Sequence, residues 1–273
     1  MMTTCIEHPK DPVCQQELEH IAACGLDWNA FSHKTILVTG ATGLVGSYAV
    51  RALAAINRIH NCQMTILAMV RSADKAKKIY GSLLERGDVA LVIGDVRDPI
   101  VYDGAVDYII HGASVTASKE MVTRPVETIA TAIGGTEQIL KFAVAKQVTS
   151  MVYISSMEMY GTPDPALPCV TESDYGRVDV LQVRSCYPEG KRMCECLCAA
   201  YAHEYQLPVK IARLAQTFGA GVSTSEGRVF AQFARSLMKG EDIVLHTEGK
   251  SYGAHCRAIS EGRGDFIDSA SMM

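Results

Sequence analysis

The sequence predicts an α/β fold, a doubly wound parallel sheet followed by a small C-terminal substrate lobe. Three observations carry this expectation. Short β-rich runs alternate with helical segments along most of the chain. The runs are apolar at nearly every position, as in strands buried on both faces. A glycine-rich turn also separates the first run from the first long helix.

The elements follow in order. Residues 1–33 are mixed in character, punctuated by Pro9 and Pro12, and 15–23 read as a short helix in an N-terminal extension. Residues 35–39 form the first strand and 43–57 the first helix of the main unit. A second strand at 64–70 leads into a polar helix over 72–86, with a third strand at 89–93 and a fourth at 106–110. A long helix at 125–146 precedes the fifth strand, 151–155, and a helix at 187–205 precedes the sixth, 209–214. Right-handed crossovers between parallel strands then wind the sheet both ways from its centre. This gives a dinucleotide-binding unit over 34–215. Residues 216–273 form a partial lobe, with a helix at 227–240 and a strand and turn at 243–251.

Composition removes several function classes. With 273 residues, 48% hydrophobic and 21% charged, the chain can bury a full core and is neither disordered nor fibrous. A net charge of −4 leaves no global basic field, so no nucleic-acid partner is expected. The first residues lack a basic and apolar leader, and nowhere do about 18 apolar residues run together. No membrane is therefore expected, and the reading places the protein in the cytoplasm. The ten cysteines lack framework spacing and read as free thiols. Cys194 and Cys198 share a helical face but Cys196 does not, so no metal site is expected.

The turn Gly40-Ala41-Thr42-Gly43-Leu44-Val45-Gly46 is the first motif with chemistry in it. Gly40 permits a tight turn, Gly43 lets backbone N–H groups approach a pyrophosphate, and Gly46 lets the helix close on the strand. The helix N-terminus adds unpaired donors and partial positive charge. NAD sites place an acid after the second strand, at the ribose 2′-hydroxyl. Here Arg71 stands there, which suits a 2′-phosphate or a solvated sheet edge, so the cofactor is NAD or NADP.

A second constellation lies at Ser156 and Glu158 after the fifth strand, and at Tyr187 and Lys191 farther on. Tyr187 and Lys191 are spaced i, i+4 and share a helix face, with Pro188 suited to the first turn. A nearby ammonium and an oxidised nicotinamide ring would both favour the phenolate, so Tyr187 is expected to have a lowered pKa and to act as a base. Ser156 would hydrogen-bond the same substrate oxygen. Ser156 and Glu158 flank Met157 in what reads as an extended segment, which would project both to one side.

These motifs resemble the extended short-chain dehydrogenases/reductases, the nucleotide-sugar epimerase/dehydratase family. The resemblance rests on Gly-x-x-Gly-x-x-Gly, Ser-Ser-x-Glu-x-Tyr-Gly at 155–161 and Tyr-x-x-x-Lys at 187–191. Residues 183–192 especially resemble UDP-glucuronate decarboxylases. It covers about 34–251 and implies a cytoplasmic homodimer acting on a nucleotide sugar by transient oxidation at C4. Dimerisation would use the two long helices.

The resemblance implies dinucleotide contacts at Thr42, Leu44, Val45, Asp95 (adenine), Val96, Ala113, Tyr187 and Lys191, beside Gly40, Gly43, Gly46 and Arg71. It implies substrate contacts at Ser114, Arg184 and Gln216. Arg184 would meet a substrate carboxylate or phosphate, or only a surface glutamate. His111 reads as a structural histidine, and Ala132 replaces a family asparagine.

Glu158 points to decarboxylation or dehydration rather than simple epimerisation. Met157 cannot donate a proton, which argues against 6-deoxysugar formation. After Ser251 no family pattern continues, and the tail from 252 reads as truncated or frame-shifted. A non-catalytic dinucleotide-binding protein and an NADPH-dependent reductase are the rival expectations.

Overall fold

The computed structural model describes residues 6–219, 221–222, 226–245 and the backbone of 255–257. Six strands form one parallel sheet: β1 (Thr35–Thr39), β2 (Thr65–Val70), β3 (Val89–Ile93), β4 (Tyr108–His111), β5 (Ser150–Ser156) and β6 (Val209–Leu214). Their order is β3-β2-β1-β4-β5-β6, so the winding reverses between β1 and β4. There Thr39 stands in register with His111. A ligand crevice is expected outside the carboxyl ends of strands at such a reversal.

The near-continuous apolar strands bury both faces of the sheet through their period-two alternation. Ile36, Val38, Ile66 and Ala68 enter one core, with Val50 and Ile56 of α2 (Leu44–His60). Leu37, Leu67, Ile109 and Met151 enter the other, with Ile139 and Leu140 of α5 (Pro125–Lys146) and Cys194 and Cys198 of α6 (Cys186–Tyr205).

Ahead of the sheet lies α1 (Pro12–Ala22), whose start is fixed by the Asp11 carboxylate accepting from the amides of Val13 and Cys14. Its Cys14 and Leu18 pack on Tyr48, Ala52 and Ala55 of α2. Glu7, fully buried, is held by Arg58 and Arg86 and by the Gln15 amide.

Several boundaries depart from the sequence reading. The expected helix over 72–86 is α3 (Ala73–Tyr80) followed by a 3-10 turn, Gly81–Glu85. Gly81 at φ 54 ends the α-helical path. A short α4 (Ser118–Thr123) precedes α5, with Pro125 opening the longer helix.

After β6, β7 (Gln216–Phe218) leaves the main sheet and pairs in parallel with β8 (His255–Arg257). That strand lies where no element was expected; the rest of the tail after Ser251 lies outside the described residues. The helix of the last lobe is α7 (Val229–Lys239). The strand expected from 243 is not formed over 243–245, which are irregular and expose Ile243, Val244 and Leu245. Among the described residues no helix is long and apolar enough to cross a membrane, and no Cys/His/Asp/Glu group could hold a metal ion.

Candidate active site

A cleft of about 640 Å3 opens along the carboxyl ends of the strands, at the reversal between β1 and β4. Every residue proposed from the sequence for catalysis, cofactor or substrate lines it. Gly40, Thr42, Gly43, Leu44, Val45 and Gly46 form one wall, with Arg71, Asp95 and Val96 at the ends of β2 and β3. Ala113 and Ser114 follow β4. Ser156, Glu158, Arg184, Tyr187 and Lys191 form the far wall, with Gln216 beyond β6.

The glycine turn shows why larger residues are excluded there. Gly40 has φ 66, and a Cβ on it would lie 2.7 Å from the Gly112 carbonyl group. A Cβ on Gly46 would lie 2.3 Å from the Gly40 oxygen. Helix and strand ends are thus in backbone contact. Gly43 is the N-cap of α2, and no side chain caps that helix. Its first-turn donors therefore line the cleft without a side-chain acceptor, an arrangement suited to a diphosphate. The residues present fit a dinucleotide on this wall.

Under the turn, a directed chain of hydrogen bonds crosses the core. The Ala113 amide donates to Thr39 Oγ1 at 3.2 Å, and Thr39 Oγ1 lies 2.7 Å from His111 Nδ1. His111 Nε2 is 3.2 Å from Thr136 Oγ1, which donates to Cys194 Sγ; that thiol donates to the Ala132 carbonyl. Since the one proton of Thr136 goes to Cys194, Thr136 accepts from His111 Nε2–H, and Nδ1 of the neutral ring accepts the Thr39 proton. His111 is 1% exposed, and burial with the Lys191 charge pushes it down to about 3.

The unfolded histidine titrates near 6.5. Unfolding therefore takes up a proton between those values, and stability falls as pH drops from about 6.5 toward 3. The slope from this residue reaches about 1.4 kcal/mol per pH unit. Urea unfolding at stepped pH is expected to show a flatter acid limb for His111→Gln; an unchanged slope would contradict the assignment.

Tyr187 and Lys191 sit on the first turns of α6, both buried. Lys191 Nζ donates to the Ile154 carbonyl at 2.7 Å and lies 5.8 Å from the Tyr187 ring centroid. Burial lowers Lys191 to about 8. The expected lowering of Tyr187 is not found. Burial pushes its hydroxyl up and the Glu158 charge adds to this, while the hydrogen bond with Ser156 and the charges of Arg184 and Arg228 pull it back. Desolvation of the phenolate outweighs its cationic neighbours.

Glu158 also departs from expectation. β5 ends at Ser156, and Met157–Tyr160 turn in a 3-10 helix rather than continuing extended. Ser156 Oγ accepts from the Glu158 amide at 3.2 Å and caps that turn. Arg192 holds its far side, donating to the Met159 carbonyl at 2.7 Å and to that of Gly176 at 2.7 Å.

In this turn both Glu158 oxygens accept from Arg184 Nη2, at 3.0 and 2.8 Å. Of the partners open to Arg184, the structure therefore pairs it with a protein glutamate. The guanidinium carbon stands 5.6 Å from the Tyr187 ring centroid. Arg184 Nη1 is buried without a hydrogen-bond partner. Behind this wall Ser155 donates to Glu195, whose carboxylate accepts from Arg213 Nε and Nη2.

Sequence reasoning missed three cleft features. Arg228, at the start of the helix expected over 227–240, lines the cleft and pairs with Glu226 at 2.8 Å. Lys75, on the first turn of α3, lines it beside Arg71. The Glu158–Arg184 pair joins residues 26 positions apart in sequence, so no local spacing announces it.

A family model described as the NAD dependent epimerase/dehydratase family matches residues 36–253. The chain belongs to this family. UDP-glucuronic acid decarboxylase 6 of Arabidopsis thaliana is 32% identical over 226 residues, 82% of this chain and 63% of that protein. UDP-glucuronic acid decarboxylase 5 of the same plant is 30% identical over 249 residues, 91% of this chain and 68% of that one. The chain thus spans about two thirds of the length of these epimerase/dehydratase-family relatives. Among solved structures, UDP-glucuronic acid 4-epimerase from Bacillus cereus, in complex with UDP-glucuronic acid and NAD, is similar. It aligns with a TM-score of 0.66 at 19% identity, covering 82% of this chain and 69% of that one.

Proposed function

We propose that this chain is an NAD(P)-dependent nucleotide-sugar enzyme that acts by transient oxidation at C4 of a UDP-uronic acid, with decarboxylation as the outcome. The observation that carries the reading is the convergence of Ser156, Glu158, Arg184, Tyr187 and Lys191 on one wall, opposite an uncapped glycine turn. The decarboxylase relatives support the choice of sugar.

Gly40, Gly43 and Gly46, with Thr42, Leu44 and Val45, would hold the dinucleotide diphosphate. Asp95, Val96 and Ala113 would line its adenosine and nicotinamide ends. When bound, the dinucleotide supplies hydride acceptance and return at sugar C4. Tyr187 takes the proton of the C4 hydroxyl, and Ser156 donates a hydrogen bond to the oxygen as it becomes a carbonyl. Lys191, held by the Ile154 carbonyl, would present its ammonium to the dinucleotide ribose. The C4 carbonyl then draws the electron pair released at C5 when the carboxylate leaves as carbon dioxide. Glu158, oriented by Arg184, would relay a proton from solvent to C5, filling the valence the carboxylate left, and Tyr187 would return its proton to the C4 oxygen as the hydride comes back. Ser114 and Gln216 position the sugar hydroxyls. Arg228, which lines the cleft and whose charge reaches Tyr187, would face the substrate.

Arg184 gives the uronate its place. Its side chain lines the cleft and stays 38% exposed while Nη2 serves Glu158, so a substrate carboxylate can meet the open part of the guanidinium. In calorimetric titrations, Arg184→Met is expected to weaken UDP-glucuronate binding roughly 10- to 100-fold while leaving UDP-glucose within about twofold. Equal losses for both sugars would reject a carboxylate site. The same reading makes the protein a cytoplasmic homodimer through α5 and α6, which expose Val126, Ile129 and Met193.

A further inference from the structure

Resting on the dinucleotide reading above, the geometry points to a site for a phosphorylated adenosine ribose, formed by Arg71 and Lys75, that selects the 2′-phosphorylated dinucleotide over the unphosphorylated one. Arg71 is the first residue after β2, and Lys75 sits on the first turn of α3, four positions later. Both line the cleft beside Gly43 and Asp95, at the end where β1 and β2 finish. No hydrogen bond or ion pair claims either side chain's charge among the described residues, and both side chains are exposed. The other arginine of this corner, Arg97, is spent on Asp95, with two donors at 3.0 Å.

The opposite recognition needs an acid. A carboxylate after the second strand accepts from the ribose 2′-hydroxyl and repels a phosphate. Here the position holds Arg71 and then Ser72, whose hydroxyl is committed to the Lys75 amide at 3.2 Å. Asp74 is nearest in sequence, but it is not among the residues lining the cleft. Asp95 is the acid that does line this end; its carboxylate is paired with Arg97 and also feels the more distant charge of Arg71. A guanidinium and an ammonium at one mouth make a fork and a point charge for a dianionic monoester. The family's description names the unphosphorylated dinucleotide, so this corner of the chain departs from it.

The test is binding, independent of turnover. The purified 273-residue chain, stripped of nucleotide, is titrated by calorimetry with NADP+, NAD+, 2′,5′-ADP and 5′-AMP. NADP+ is expected to bind at least about tenfold more tightly than NAD+, with 2′,5′-ADP exceeding 5′-AMP in the same sense. The preference should shrink as salt rises from about 0.05 to 0.5 M, because both cations are exposed. Arg71→Ser with Lys75→Ala should bring the two dinucleotides within about threefold, chiefly by weakening NADP+. Equal affinities in the unsubstituted protein, or a preference for NAD+, would overturn the inference while leaving the dinucleotide cleft standing. Binding of neither dinucleotide would overturn the cleft reading and this inference with it.

Discussion

Tyr187→Phe is expected to lower turnover of UDP-glucuronate by about 100- to 10,000-fold, the range associated with losing a positioned general base. The ring keeps its place in the buried wall beside Lys191 and Arg184, so the cleft should not collapse. Dinucleotide affinity, measured separately, should stay within a few-fold, because the glycine turn and α2 are untouched. A variant that turns over at the unsubstituted rate would remove Tyr187 from the chemistry. The buried hydroxyl adds a pH signature. Burial raises its pKa, and Ser156, Arg184 and Arg228 draw it back. In the free enzyme the phenolate therefore becomes available only as pH rises, and kcat/KM should climb on the alkaline side.

Arg213→Met is expected to cost about 3–5 kcal/mol of stability, the usual consequence of removing one partner from a buried ion pair. Arg213 and Glu195 are 7% and 9% exposed at the side chain, and Nη2 lies 2.7 Å from the carboxylate. Glu195 also accepts from Ser155, and Arg213 Nη1 donates to the Glu172 carbonyl at 2.7 Å. The change thus strands a carboxylate between β5, β6 and α6, directly behind Ser156. Urea titration followed by circular dichroism measures the loss; a shift below about 1 kcal/mol would show that Glu195 is repaired by water or by another donor. Replacing both partners with apolar residues should recover most of the stability.

Much of the sheet was legible because its signal is local. Ile36, Leu37 and Val38 read as a strand on their own, and their alternating burial in two cores follows from the pleat. Gly40 and Gly46 were legible for a similar reason, since a tight strand-to-helix turn restricts the residues that can stand there. What escaped was set by contacts distant in sequence. The turn at Met157 depends on Ser156 capping Glu158 and on Arg192 reaching across from α6. An extended strand end and a capped 3-10 turn look alike in composition. Arg184 finds Glu158 only once α6 is laid against β5. Tyr187 is governed by how deeply the wall is buried, a property no i, i+4 spacing reports. Lys75 and Arg228 reach the cleft through topology, which brings the starts of α3 and α7 to the same crevice.

The most direct measurement follows UDP-glucuronate carrying 13C at C6, incubated with the chain and a catalytic amount of oxidised dinucleotide. The account expects labelled carbon dioxide and an unlabelled UDP-pentose in equal amounts, with no net change in reduced dinucleotide at the end. UDP-glucuronate recovered unchanged, or epimerised with its label retained, from protein that binds both dinucleotide and sugar would contradict decarboxylation at this site.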